Sequence, residues 1–236
     1  MRTLPLPRGL KNTLSIIVPV WNEQEVLPPL LAHLRTFQER GVEVLFVDGG
    51  SDDGTPALIE AAGFSVMHAD RGRARQMNAG AHAAAGSVLL FLHADTVLPD
   101  AAARQVAAAL AGGRRRWGRF DVTISGKPLM LRVVATMMNL RSRWSGIATG
   151  DQAIFVTREA FNAVGGFPDQ PLMEDVALTK RLRRLSRPAC IALRVITSGR
   201  RWERDGVWRT IFLMWRLRWA YWRGIPASVL ARSYHR

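Results

Sequence analysis

At 236 residues, 48% of them hydrophobic, the chain has material for one large domain or two small ones, and its eight Trp and nine Phe beside a 22% charged fraction exclude a disordered chain. A single cysteine, Cys190, excludes an internal disulfide framework and a cysteine-rich zinc site. The balance of 33 Lys+Arg against 19 Asp+Glu, net +14, is nearly all arginine, whose planar fork suits phosphate, so anionic partners such as nucleic acid, anionic lipid or phosphorylated small molecules are expected.

The opening run MRTLPLPRGLKNT has no sustained apolar core, so no signal peptide is expected, and no later run approaches the roughly 18 to 20 apolar residues of a spanning helix. LSIIVPV (14–20) is a short β-branched run that predicts a buried strand. Leu27, Leu30, Leu31, Leu34 and Phe37 then recur at helical spacing within 23–41, with Gly41 as a stop. VEVLFVD (42–48) predicts a second strand, SDDGTPALIEAAG a turn and short helix, and FSVMHA (64–69) a third strand. A helix over 73–86 and a fourth strand over 87–93 follow.

Strands alternating with helices at these lengths imply right-handed β-α-β units and a mostly parallel sheet, with ligands at the carboxyl ends of its strands. The polar clusters fall at those ends: Trp21-Asn22-Glu23, Asp48 to Asp53, and His93-Ala94-Asp95. Beyond residue 113 the pattern changes. RRRWGRFDVTI predicts one strand or a strand pair, 128–144 a helix with Arg and Met, and 151–161 a strand running into a helix. GGFPDQPLMEDVALTKRLRRL predicts a turn and a basic amphipathic helix. No repeat or linker breaks the chain, which predicts a catalytic unit over 1–206 and a helical extension over 207–236.

Taken singly, the polar clusters have plain explanations. Ser51, Asp52 and Thr55 suit a helix cap, and a lone acid such as Asp95 suits a turn. Adjacent Glu174 and Asp175 suit a helix start, where the helix dipole favours carboxylates. No lysine follows the glycines of the second strand's loop and no G-x-G-x-x-G is present, so a P-loop or a dinucleotide fingerprint is weakly supported.

Together they form a recognisable order. SIIVPVWNE, VDGGSDDGT, GRARQMNAGA, LHADT, GDQAIFV, GGFPD and MEDVALTKRL, over roughly 14–202, resemble the family 2 glycosyltransferases, GT-A fold enzymes that use nucleotide-activated sugars. The 200–206 run RRWERDG and the tail resemble, more narrowly, a small bacterial subgroup known as arsenosugar biosynthesis glycosyltransferases. The resemblance implies an α/β, Rossmann-like, mostly parallel central sheet flanked by helices, with a C-terminal amphipathic helical extension. It implies that Pro19, Trp21 and Glu23 line the base and ribose pocket, and that Asp48, with Asp52 nearby, contacts the nucleobase. Arg75 and Asn78 would face the nucleotide and diphosphate, and Asp95 would be the metal-binding second acid of a D-x-D, holding Mn2+ or Mg2+. His93, Ala94, Asp151, Arg201 and Trp202 would complete the nucleotide-sugar site. His93 stands where the family usually has an acid, which favours a role behind the metal rather than on it. Asp175 would be the general base and Glu174 would hold the acceptor or its loop. Ser198 stands where processive synthases carry Gln, which counts against a polymerase. The implied partners are a UDP- or GDP-sugar and a lipid or small-molecule acceptor, with no nucleic acid.

Trp208, Phe212, Trp215, Trp219 and Trp222 step by four, three, four and three, one face of a helix. With interleaved arginines, 207–223 suits a membrane interface equally with packing on the domain or a homodimer contact. A cytoplasmic enzyme, peripheral at the inner face of the cell membrane, is the matching expectation. Two rival functions are weaker. A nucleotidyltransferase wants a Gly-rich, Lys-bearing signature near the first strand, where VPVWNEQE stands. An RNA-binding protein or membrane adaptor is supported by charge alone.

Overall fold

In a computed structural model of the chain, residues 13–234 are described. The opening run through residue 12 and His235, the one histidine after the Glu174-Asp175 pair, lie outside the described residues.

The first half alternates strand and helix in the expected order: β1 (Leu14–Val20), α1 (Leu27–Gln38), β2 (Glu43–Asp48), α2 (Thr55–Ala61), β3 (Ser65–His68), α3 (Arg73–Ala83) and β4 (Val88–Phe91). Then come β5 (Thr96–Val97), α4 (Ala102–Leu110), β6 (Trp117–Ile124), α5 (Met130–Ser145) and β7 (Phe155–Thr157). The chain closes with α6 (Arg158–Ala163), α7 (Glu174–Leu185), β8 (Ala189–Thr197), α8 (Arg200–Asp205), α9 (Val207–Trp222) and α10 (Ala227–Tyr234). Residues 114–124 supply one strand rather than a pair, because their partners are distant in sequence: β7 on one side and β8 on the other.

The strands form one sheet in the order β3-β2-β1-β4-β7-β6-β8-β5. The first four are parallel, as is β6 with β8, whereas β7 runs antiparallel to β4 and β6, and β5 antiparallel to β8. All seven residues of β1 are buried, as a central strand covered on both faces requires. Its alternation assigns the layers. Ile16, Val18 and Val20 pack with Leu27, Leu30, Leu34 and Phe37 of α1, while Ile17 joins Met77 and Ala81 of α3 and Leu178 and Leu182 of α7 on the other side. A small third cluster joins Leu172 and Met173, just before α7, to Leu217 and Ala220 of α9 and Leu230 and Ala231 of α10.

β2, β1 and β4 are neighbours and parallel, so the loops after Asp48, Val20 and Phe91 emerge side by side. Their side chains bind one another rather than capping α2, which corrects the capping expectation. Ser51 Oγ accepts from Asn22 N at 2.9 Å, Asp52 Oδ1 from Asn22 Nδ2 at 2.6 Å, and Thr55 Oγ1 from Glu23 N at 2.9 Å. Gly54, which precedes α2, offers no side-chain cap, and the first N–H of the helix, Thr55 N, donates instead to Asp53 Oδ1 at 2.9 Å.

Candidate active site

A cavity of about 250 Å³ opens at the carboxyl ends of β1 and β4. Pro19 and Glu23 reach it from the end of β1, and His93, Ala94 and Asp95 from the turn after β4. The Gly150–Gln152 turn brings Asp151, the start of α7 brings Glu174 and Asp175, and α8 brings Arg201 and Trp202. Ten of the residues expected from sequence therefore share one cavity, contributed by five separate stretches of chain.

The short pairing of β5 with β8 joins two of those stretches. Thr96 lies opposite Thr197, and Ser198 N donates to the Asp95 carbonyl at 3.1 Å, which delivers the run after β8 to the acid after β4. The Asp95 carboxylate keeps its oxygens largely free, since its hydrogen bond is a long one from Thr96 Oγ1 at 3.3 Å. Burial, then the charge of Asp95, raises the Glu23 pKa.

His93 Nδ1 stands 3.5 Å from Asp151 Oδ1. Burial and the Arg73 charge disfavour the His93 charge, but the Asp151 hydrogen bond together with the charges of Asp151 and Asp95 leaves the histidine pKa raised. Burial would raise Asp151 in turn, yet His93, Arg73 and Arg218 together hold its pKa down. Gly150 makes this contact sterically feasible: a Cβ there would run into the His93 ring.

α7 starts from Met173, which is left-handed at φ 63, an uncommon conformation for a residue with a side chain. Asp175 Oδ2 accepts from Gly150 N at 2.8 Å and Oδ1 from Val176 N at 2.6 Å, so the carboxylate is held by two backbone donors. Glu174 is buried, and burial followed by the charge of Asp175 raises its pKa against the pull of Arg73.

The other expected residues lie outside this cavity. Trp21 stacks under Arg71, 3.4 Å from guanidinium to ring centroid. Asp48 accepts from Gly50 N, Ser51 N, the Ser51 hydroxyl and His68 Nδ1. Burial works to raise its pKa, and these donors hold it below the ordinary value. Asp52 binds Asn22 as described above. Arg75 Nε is held by Asp169 at 2.9 Å, and Asn78 clamps the backbone of Phe167 in both directions.

Several site residues were missed from sequence. Arg73, at the first position of α3, lines the cavity where Arg75 was expected to act. Burial opposes its charge, but Glu174, Tyr234, Asp151 and Asp175 raise its pKa. Met138 of α5 and Thr210, Met214 and Arg218 of α9 form the far wall. Burial lowers the Arg218 pKa, and burial together with the Arg218 charge lowers Arg141 to about 10. A helical register on α9 could have flagged Thr210, Met214 and Arg218 as the face opposite the Trp stripe. Nothing in the local sequence distinguishes Arg73 from Arg75.

The model of one protein family, described as Glycosyl transferase family 2, matches residues 15–162. The chain belongs to glycosyl transferase family 2. Among curated family 2 relatives is the undecaprenyl-phosphate 4-deoxy-4-formamido-L-arabinose transferase of Proteus mirabilis, 32% identical over 128 residues, which are 47% of this chain and 39% of that protein. The chain thus matches well under half of that relative's length. The mannosyltransferase PcManGT of Pyrobaculum calidifontis, solved with GDP-Man and Mn2+, superposes with a TM-score of 0.62 at 20% identity, over 89% of this chain and 61% of that one. Glucosyl-3-phosphoglycerate synthase of Mycobacterium tuberculosis, solved with Mn2+, UDP and glucosyl-3-phosphoglycerate, superposes at 0.60 and 17% identity, over 83% of this chain and 77% of that one. The fold is that of the GT-A enzymes: a mixed, mostly parallel sheet flanked by helices, with helices at the C-terminal end. The matched family is one of glycosyl transferases. Among the described residues no helix is long and apolar enough to cross a membrane.

Proposed function

We propose that the protein is an inverting glycosyltransferase that moves a sugar from a UDP- or GDP-sugar to an acceptor oxygen, either the hydroxyl of an alcohol or an already ionised phosphate oxygen of a phosphate monoester. The observation that carries this reading is the shared cavity, which sets the acid after β4, the acid pair opening α7, and Arg73 and Arg201 around one space. An acceptor hydroxyl is a poor nucleophile until its proton leaves. Asp175, held by two backbone N–H groups, takes that proton as the oxygen attacks the anomeric carbon from the face opposite the leaving diphosphate. One displacement inverts the anomeric centre. Arg73 and Arg201 meet the charge that grows on the departing oxygen, and buried Glu174 orients the acceptor. Trp21 and Asp52 are assigned to the nucleoside end of the donor, and Asp48 holds the loop that carries Asp52. Asn78 acts one step back, fixing the Phe167 turn.

Among the described residues no group of three or more His, Cys, Asp or Glu is arranged to hold a metal. The uncommitted carboxylate of Asp95 still suits Mn2+ or Mg2+, because such an ion is commonly held by one or two carboxylates and completed by substrate phosphates. When bound, the ion supplies charge neutralisation at the diphosphate. His93 is assigned a place behind the ion rather than on it, because its Nδ1 already faces Asp151 Oδ1 at 3.5 Å. It is placed to donate to the donor's phosphate or ribose.

The names of the relatives support a lipid acceptor, and the exposed Trp stripe of α9 supports contact with the inner face of the cell membrane. The 200–206 run and the tail support the arsenosugar-type subgroup. A thermal-shift screen of nucleoside diphosphates and sugar nucleotides, with and without manganese, tests the donor reading, since a ligand bound by the native state raises apparent stability. One uridine or guanosine series should stand out, and no response from any nucleotide would sink the proposal. Asp175→Asn should lower transfer by about 10²–10⁴-fold while leaving nucleotide affinity close to that of the parent. Loss of nucleotide binding in that variant would remove Asp175 from the role of base.

A further inference from the structure

A second space, a groove of about 1120 Å³, lies beside the transfer cavity between the start of α3 and helices α8, α9 and α10. Arg73, Arg201, Thr210 and Tyr234 line both, so the two are continuous. Arg204, Arg209 and Arg216 belong to the groove alone. Among its described lining residues Asp205 is the one acid, and it is already engaged: Arg204 Nε donates to it at 2.8 Å and Arg201 Nε lies 3.6 Å away. The Arg201 guanidinium rests on the Tyr234 ring at 3.8 Å, while its Nε is buried without a hydrogen-bond partner. Phe212 and Leu213 add an apolar wall next to the charge.

Among the described residues five guanidinium groups share this space with one carboxylate, Asp205, so positive charge is in excess and an anion is favoured there. A phosphate monoester answers this best, with nearly two negative charges and oxygens that match the planar fork of arginine. Arg73 and Arg201 also line the transfer cavity, where they are assigned to the donor's diphosphate. That leaves Arg204, Arg209 and Arg216 facing a space the donor reading does not use.

We propose that this groove binds the phosphate group of a phosphomonoester acceptor and holds it next to the transfer cavity. Calling the ligand an acceptor rests on the transferase reading; the binding itself does not. The phosphate could be carried by a lipid or by a soluble metabolite, and the apolar wall of Phe212 and Leu213 accepts the organic part of either.

The test uses the full chain in two arms. In one, flotation compares phosphatidylcholine vesicles containing polyprenyl phosphate with vesicles containing the uncharged polyprenol. In the other, thermal shift compares 3-phosphoglycerate with glycerate. A response that requires the phosphate is expected in one arm, and that arm names the source. The double variant Arg209→Ser, Arg216→Ser, both exposed on α9, should weaken the phosphate-dependent response roughly tenfold or more while the nucleoside-diphosphate shift stays as in the parent. The proposal is overturned if neither arm distinguishes phosphate from its absence, or if the double variant leaves the phosphate response unchanged. It is equally overturned if the double variant loses nucleoside-diphosphate binding, which would give the groove to the donor. A phosphate response together with no nucleotide response at all would leave the groove standing and end the transferase reading.

Discussion

Asp48 ends β2 and Asp95 follows β4, the two strands that flank β1, yet their surroundings give them opposite characters. Asp48 is buried and saturated by two backbone N–H groups, the Ser51 hydroxyl and His68, whereas Asp95 is almost unengaged. The first is built to stay ionised and hold a loop, the second to meet something from outside. Because the Asp48 pKa lies below its ordinary value in the fold, its stabilising contribution is complete above roughly pH 4 and disappears as the pH falls through the lowered value. Asp48→Asn should therefore cost about 1–2 kcal/mol at pH 7, and chemical denaturation series should show that gap closing as the pH falls below the ordinary carboxylate value. A gap independent of pH would mean that the carboxylate charge is not what holds the loop. Both aspartates were legible in the sequence, because a strand end names its own last residue. Arg73 was not: α3 starts at residue 73, and which of two arginines faces the cavity depends on a boundary that sequence locates only within a turn.

At the scale of elements, α5 is held to β6 by buried polar groups as well as by the apolar packing of Leu131, Ala135 and Met138. Arg119 is fully buried and paired with Asp121, which also receives Arg143 Nη2 at 2.6 Å. Asn139 of α5 clamps Val122 by both its N–H and its carbonyl, and Gln152 Nε2 donates to Ser142 Oγ at 3.0 Å, tying in the turn that carries Asp151. Removing one partner strands a buried guanidinium. Asp121→Ala should lose about 3–5 kcal/mol in equilibrium unfolding, far more than a surface carboxylate. A loss within 0.5 kcal/mol would show that water reaches Arg119. None of this network is visible as a pattern, since Arg119, Asp121, Asn139 and Gln152 sit in three elements with no shared period. The same reason hid β8. Its residues alternate weakly and expose Leu193 and Ile196, so only pairing with β6 and β5 makes the segment a strand.

For the molecule as a whole, α9 is two-sided. Thr210, Leu217 and Ala220 are buried, and Met214 and Arg218 face the cavity. Trp208, Phe212, Trp215, Trp219 and Trp222 are each at least 60% exposed. Packing on the domain therefore uses the face opposite the Trp stripe and leaves the stripe open to the proposed bilayer contact. α5 carries a similar outward row in Leu129, Val133, Met137, Leu140 and Trp144. Apolar rows of this size beside arginines suit an anionic interface. Trp215→Ser with Trp219→Ser should reduce co-sedimentation with phosphatidylglycerol vesicles several-fold while leaving the thermal midpoint nearly unchanged, because both rings stand in solvent. Unchanged sedimentation would return the stripe to another role.

The sequence by itself determined the parallel half of the sheet, the order of its helices, and the strand-end positions of Pro19, Glu23, Asp48, His93 and Asp95. Local apolar periodicity and the geometry of β-α-β units are sufficient for that, since each unit is specified by neighbours along the chain. The helix that Glu174 and Asp175 open was legible for the same reason. Only the tertiary structure decided that the run after β8 reaches Asp95, that Gly150 backs onto both His93 and Asp175, and that α9 closes the cavity on one face while showing Trp on the other. Each of these is a contact between residues far apart in sequence. Pairing energy, burial and charge among such residues come into being only when the chain has folded, so no local period can announce them.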